Sequence, residues 1–278
     1  MKIRSQQPTN KILRDAIRCI YVIEQDADSP AESFLIFPSV SAYLSISLDT
    51  VSTVENDVIA VEATSDNRLD SSLQLGLKSS SVYKYRGPLK EVCIVFNPLS
   101  VFDFFDEETI LELSCNGQPF IPDEGFETAI TSAINLSDDA EMLAQLESYF
   151  LSRYHAFRHP YLSQAVTRLQ SSDTEGQLAI EALAGRFNIT RQTLNNQFRK
   201  YVNLSASEFR QISRFRNFVN ARLSDERGLT LTEFAHDLGF FDQSHLIKEF
   251  RKYTLLKPND VFRKLDRLSD NNILVIWQ

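Results

Sequence analysis

Hydrophobic and polar residues alternate one for one in two segments of the first hundred residues. Leu44, Ile46 and Leu48 interleave with Ser45, Ser47 and Asp49, and Leu73, Leu75 and Leu77 with Gln74, Gly76 and Lys78. A period of two gives a strand one apolar and one polar face. Phe34–Phe37, Val58–Val61 and Val92–Phe96 are short continuous apolar runs, the pattern of strands buried on both faces. Pro38, Pro88 and Pro98, with Asp, Asn and Ser clusters between the runs, act as breakers. Short strands separated by turn signals predict a β-barrel or jelly roll.

The period lengthens near residue 100. Leu99–Phe105 predicts a short aromatic segment, with Phe102, Phe104 and Phe105 expected in a core in preference to a partner-docking surface. Ser137, followed by Asp138, Asp139 and Glu141, predicts a helix start, because acidic side chains suit the positive end of the helix dipole. Met142, Leu146, Tyr149 and Phe150 give that helix an apolar stripe, and a second helix is predicted over Tyr161–Leu169. The polar stretch 171–176 reads as a linker. The expected division is 1–170, a barrel with linker helices suited to sensing or dimerisation, and 173–278, an all-α domain. Two domains also suit a length of 278 residues.

The C-terminal third contains an internal repeat. Phe198-Arg199-Lys200-Tyr201 recurs 52 residues later as Phe250-Arg251-Lys252-Tyr253. Leu183-Ala184 precedes Asn188 as Phe234-Ala235 precedes Gly239, with the same spacing. Each unit reads as helix, tight turn, helix. The small Ala permits close helix approach, and Asn or Gly accepts the positive φ of the turn. Thr190 and Asp242 are expected N-caps. Leu194 and Phe198 anchor the first repeated helix, and Leu246 and Phe250 the second. These anchors leave Arg191, Gln192, Asn195, Asn196 and Arg199 facing outward on the first. Gln243, Ser244, Ile247 and Lys248 face outward on the second, with His245 at the margin.

A helix-turn-helix unit lays its second helix in the DNA major groove. Gln and Asn can bond adenine bidentately, Arg can do so to guanine, and Ile can touch a thymine methyl. The expected base-contacting set is therefore Arg191, Gln192, Asn195, Asn196, Gln243, Ser244, Ile247 and Lys248. Thr190, Arg199, Lys200, Arg251 and Lys252 are expected at phosphates. One long helix is predicted over Ser207–Ser224, with Phe209, Ile212, Val219 and Leu223 toward the cores and Arg210, Arg214 and Arg216 adding positive charge.

Charge changes the picture when it is divided. The formal net charge of −8 argues against a nucleic-acid binder. Residues 1–150, however, carry 10 basic and 24 acidic groups, and residues 151–278 carry 19 and 13. The nets are −14 and +6, so the repeat lies in the basic part. The acidic part is expected to stand away from phosphates.

Other chemistry is sparse. Cys19, Cys93 and Cys115 form no paired framework and are expected to be buried apolar residues in a cytoplasmic protein. All four His follow residue 150, so neither a His-based metal site nor a Ser/His/Asp triad is expected in 1–150. His155 and His159 suit surface or capping roles. With eight Gly, no Gly-rich phosphate loop is available. No apolar stretch approaches the ~20 residues of a membrane helix. No catalytic residue, cofactor or metal is expected. An acid–base enzyme using carboxylates near Asp103–Glu112 and a protein-interaction or dimerisation module are the alternatives.

The motifs now carry a resemblance. Ile180-Glu181-Ala182-Leu183-Ala184, Ile189-Thr190-Arg191-Gln192-Thr193-Leu194, Gln197-Phe198-Arg199 and Arg214-Phe215 resemble the DNA-binding domain of the AraC family of bacterial transcription regulators. So do Ala235, Leu238-Gly239-Phe240, Asp242-Gln243-Ser244-His245-Leu246, Glu249-Phe250-Arg251 and Pro258. The resemblance spans 178–263. It implies two helix-turn-helix units on one connecting helix. Both recognition helices would enter successive major grooves, or one would do so with the other on the backbone. Gln192, Asn195, Asn196, Gln243, Ser244 and Lys248 match its base-reading positions. Asn188, Asn203 and Leu255 stand where Gly is usual, Ala206 replaces a Pro, Lys257 a Ser or Thr, and Asn195-Asn196 an acidic–basic pair. Leu35-Ile36-Phe37-Pro38 and Val95-Phe96-Asn97-Pro98-Leu99 are similar to a subgroup with a cupin-like β-domain. The implied architecture is α+β, a cupin-like barrel followed by a tandem helix-turn-helix domain. The implied function is a sequence-specific, DNA-binding transcription regulator. Duplex DNA is its partner, and a small effector in the barrel and a homodimer are further expectations.

Overall fold

The computed structural model describes residues 1–66, 68–115, 119–171, 179–224, 243–267 and 274–277. The first nine strands are β1 (Lys2–Gln6), β2 (Ile17–Gln25), β3 (Glu32–Ile36), β4 (Ser39–Leu48), β5 (Thr50–Glu55), β6 (Val58–Ala63), β7 (Leu69–Leu77), β8 (Ser81–Arg86) and β9 (Leu89–Phe96). Helix α1 (Lys11–Ala16) lies between β1 and β2. After a 3-10 turn at Ser100–Asp103 come α2 (Glu107–Cys115), α3 (Glu124–Ile134), α4 (Asp139–Arg153) and α5 (Leu162–Gln170). The remaining helices are α6 (Ile180–Arg186), α7 (Arg191–Val202), α8 (Ala206–Leu223), α9 (Gln243–Thr254) and α10 (Pro258–Lys264). Two short strands close the order, β10 (Leu265–Arg267) and β11 (Leu274–Trp277).

The strands form two sheets, β1-β2-β9-β4-β7 and β10-β11-β3-β8-β6-β5. All pairs are antiparallel except β6 with β8. The apolar run on β9 works as its pattern predicts. Cys93 and Val95 face one core with Tyr21, Phe34, Tyr85 and Val275, while Val92, Ile94 and Phe96 face another that runs into the helices. The Val58–Val61 run differs. It forms β6, but Val58, Ile59 and Ala60 stay half-buried and only Val61 is buried.

Phe102, Phe104 and Phe105 are all buried, in ring contact with neighbours such as Phe157, Phe150 and Phe120, so they form core and dock no partner. The α4 N-cap is Asp138, whose side chain accepts from Ala140 and Glu141 N–H groups, one residue later than the expected Ser137. His159 Nδ1 accepts from Leu162 N, which makes it a cap on α5. Cys19 and Cys93 are buried. The Cys115 side chain, most of the 171–176 linker, Phe234-Ala235, Gly239, Asp242 and the Leu246 side chain lie outside the described residues.

One hydrophobic core joins sheet and helices. It includes Phe37, Leu44, Leu75, Phe102 and Phe150 together with Leu194, Phe198, Phe209, Phe215 and Phe250. Two further features fasten the join. Gly76 on β7 has φ +61, and a Cβ there would stand 2.4 Å from the Val202 carbonyl oxygen at the end of α7. Glycine is therefore required both for its backbone angle and for the close approach. Strand β11 returns to pair with β3, Val275 opposite Ile36 and Trp277 opposite Phe34.

Candidate nucleic-acid interface

Helix α7 is built as the repeat predicts. Asn188 turns the chain at φ 54, and Thr190 caps the helix by accepting from Thr193 N at 3.0 Å. Leu194 and Phe198 are fully buried, with Phe198 edge-on to Phe209 at 5.2 Å. Asn203 ends the helix at φ 56. The connecting helix α8 begins with a capping box, in which Ser205 and Glu208 bond each other's backbone N–H. Leu255 follows α9 at φ 59 and is 83% exposed, so an apolar side chain holds a strained backbone angle with no packing in return.

This frame places the sequence-predicted residues in three groups. Thr190, Arg191, Gln192, Asn196 and Arg199 are exposed along one side of α7. Arg191 pairs with Glu181 at 2.7 Å, an exposed contact of little energetic weight. On α9, Lys248, Arg251 and Lys252 are exposed and Ile247 is half-buried. The side chains of Gln243 and Ser244 lie outside the described residues.

Two further predicted residues are tied to other elements. Asn195 is half-buried, and its Oδ1 accepts from Ala206 N at 3.0 Å, which satisfies an orphan donor in the first turn of α8. Lys200 reaches Glu107 of α2 at 2.5 Å, and the hydroxyl of Tyr201 donates to the same carboxylate at 2.8 Å. The Lys200 ammonium holds the Glu107 carboxyl below the usual carboxylate range. An acidic group of the N-terminal half thus stands at the last turn of α7.

The α8 arginines also depart from expectation. Arg216 is buried, and desolvation pushes its guanidinium down while the neighbouring Tyr43 pushes it up. It therefore adds no surface charge. Arg214 pairs with Glu249 of α9 at 2.7 Å, tying α8 to the second repeated helix. A continuous 3.6-residue pattern could not separate these arginines from solvent-facing ones, because the covering surface comes from β4 and α9, both distant in sequence.

Sequence reasoning missed Glu91. It lies on β9 in the core between the sheets, 3% exposed. Burial raises its carboxyl to about 7, against the lowering effect of hydrogen bonds from Ser45 and Tyr85. The signal was the acid at the head of the Val92–Phe96 run, with the same parity as inward Cys93. Elsewhere a groove of about 340 Å³ is lined by Asn97, Ser100, Asp103, Phe157, Ser163 and Gln170, between the end of β9 and α5. Asp103 is pushed up by desolvation, and Glu107 is held down by Lys200. No helix among the described residues is long and apolar enough to cross a membrane.

Residues 183–264 match the family model described as a helix-turn-helix domain. That match takes in α7, α8 and α9, and with them the exposed polar face of α7. Among solved structures, the chain is similar to ToxT of Vibrio cholerae with an unsaturated fatty acid bound, at 12% identity over 92% of this chain and 96% of that one, TM-score 0.45. It is also similar to ToxT bound to (E)-4-(8-methylnaphthalen-1-yl)but-3-enoic acid, at 12% identity over 93% and 96%, TM-score 0.35. No curated protein gave a match.

Proposed function

We propose that the chain is a sequence-specific regulator that reads duplex DNA with two helices, α7 and α9, and is controlled through its N-terminal barrel. The observation that carries this reading is the exposed row Arg191, Gln192, Asn196 and Arg199 on a helix whose opposite side is buried. Gln192 and Asn196 suit adenine and Arg191 suits guanine. Arg199 and Arg251 suit phosphates, with Lys248 and Ile247 at bases in the second groove. Gln243 and Ser244 complete that second set. Thr190 and Lys252 join the phosphate contacts, while Lys200 is held by Glu107. Asn195 acts chiefly by fixing α8.

Successive major grooves of straight DNA lie about 34 Å apart. If α7 and α9 are closer, the DNA must bend to receive both. Control reaches them through the continuous core and through β11. Glu91, with its Ser45 and Tyr85 partners, supplies a polar centre in the barrel for a small effector. A barrel that only dimerises the chain is the second reading, which the partly exposed edge strands β1 and β5 would serve.

The test is retention of genomic duplex fragments by the full chain at low and moderate salt, followed by sequencing of those retained. A shared sequence is expected, with steep loss of binding as salt rises. Retention of no fragment at any salt would sink the reading. Retention without sequence preference would remove specificity and leave charge alone.

A further inference from the structure

Lys200 and Lys252 are equivalent in the repeat, and their surroundings differ. Among the described residues, Lys252 Nζ lies 3.4 Å from Gln211 Oε1, a neutral amide. Lys200 Nζ lies 2.5 Å from the Glu107 carboxylate. Glu107 is fixed from both halves of the molecule. It stands in the first turn of α2, and its second oxygen is held by Tyr201. The Tyr201 ring is in turn seated against Phe102, Phe157 and His159 at 5.2, 5.7 and 5.5 Å. The carboxylate therefore stays in place when DNA approaches. Both partners remain accessible, with the Lys200 side chain 43% exposed and that of Glu107 39%. A half-exposed ion pair of this kind adds little to stability. Its strongest effect is on which anion Lys200 can serve.

We infer that Glu107 is an internal competitor for DNA phosphate. It occupies the last-turn cation of the first recognition helix, so this unit engages the backbone with one contact fewer than its sequence offers. The inference rests on the DNA-binding reading above. It adds a regulatory contact. Any displacement of α2 from α7 would hand Lys200 to the DNA without altering a base contact.

The test uses the full chain and a labelled random-sequence duplex, with affinity followed by anisotropy between about 50 and 200 mM NaCl. One added phosphate contact steepens the slope of log affinity against log salt by about 0.9, which is about a threefold larger loss of affinity over that range. Glu107→Gln keeps a carbonyl for Tyr201 and removes the charge, and it is expected to show that steeper slope and tighter binding at low salt. Lys200→Ala in the native background is expected to leave the slope unchanged. In the Glu107→Gln background it should abolish the gain. Parallel slopes for Glu107→Gln and native protein would overturn the inference with DNA binding intact. So would a flatter slope for Lys200→Ala alone, since Lys200 would then already be on phosphate. Binding by no variant at the lowest salt would overturn the DNA-binding reading as well.

Discussion

The two sides of α7 obey different rules. The inner side, Leu194, Phe198, Tyr201 and Val202, is buried against α8 and the strands. The outer side, Arg191, Gln192, Asn196 and Arg199, touches little of the protein. A helix of 12 residues thus separates stability from recognition within one turn of rotation. The border positions mix the two. Asn195 caps a neighbour, and Lys200 answers to a carboxylate of the other half. Substitutions should sort by side, and the border residues should fail to sort.

The largest effect is expected from the inner side. Phe198→Ala removes a fully buried ring and should cost about 3–5 kcal/mol in chemical denaturation. Gly76→Ala puts a methyl group 2.4 Å from the Val202 carbonyl and forces a non-glycine residue to φ +61. It should cost about 1–3 kcal/mol and loosen α7 from β7, read as faster amide exchange at the helix end. A border change comes next. Asn195→Ala leaves Ala206 N–H without its partner and should lower stability by about 1 kcal/mol. Little change in denaturation midpoint would show that the cap is dispensable. On the outer side, Gln192→Ala should shift stability by less than about 0.5 kcal/mol. Its effect should appear as lost discrimination at one base pair in competition binding. A large drop in melting temperature would break the division between the sides.

Acid should weaken the contact between Lys78 and the start of α8. Glu208 loses solvation at the seam, but Lys78 and the Ser205 backbone outweigh that and hold its carboxyl at about 2. A lowered carboxyl contributes stability above its unfolded value near 4.5, and that contribution is lost as pH falls toward 2. Glu208→Gln should flatten this part of the stability profile. An unchanged profile would mean that other carboxylates dominate there.

Much of the helix-turn-helix unit was legible because its signals are local. A cap, a positive-φ turn and anchors four residues apart are all set within about 20 residues of one another. The alternating segments at β4 and β7 were legible for the same reason. Strands β1, β2, β5 and β8 gave weaker patterns, and β10 and β11 gave no hint of where they pair. Arg216 was misread, Glu91 was missed and the Glu107 contact of Lys200 was not foreseen, because the partners Tyr43, Tyr85 and Glu107 come from elements far away in sequence. An outward position on a helix wheel is outward only until another layer covers it.

Strand β11 has a consequence for how the molecule is made. Its partner β3 leaves the ribosome early, and β11 follows roughly 240 residues later. Until then one edge of the second sheet has open backbone groups, and Phe34 lacks the ring of Trp277. The barrel therefore cannot reach its final form until the helical part has been synthesised. Maturation of the controlling part waits on the part that is controlled.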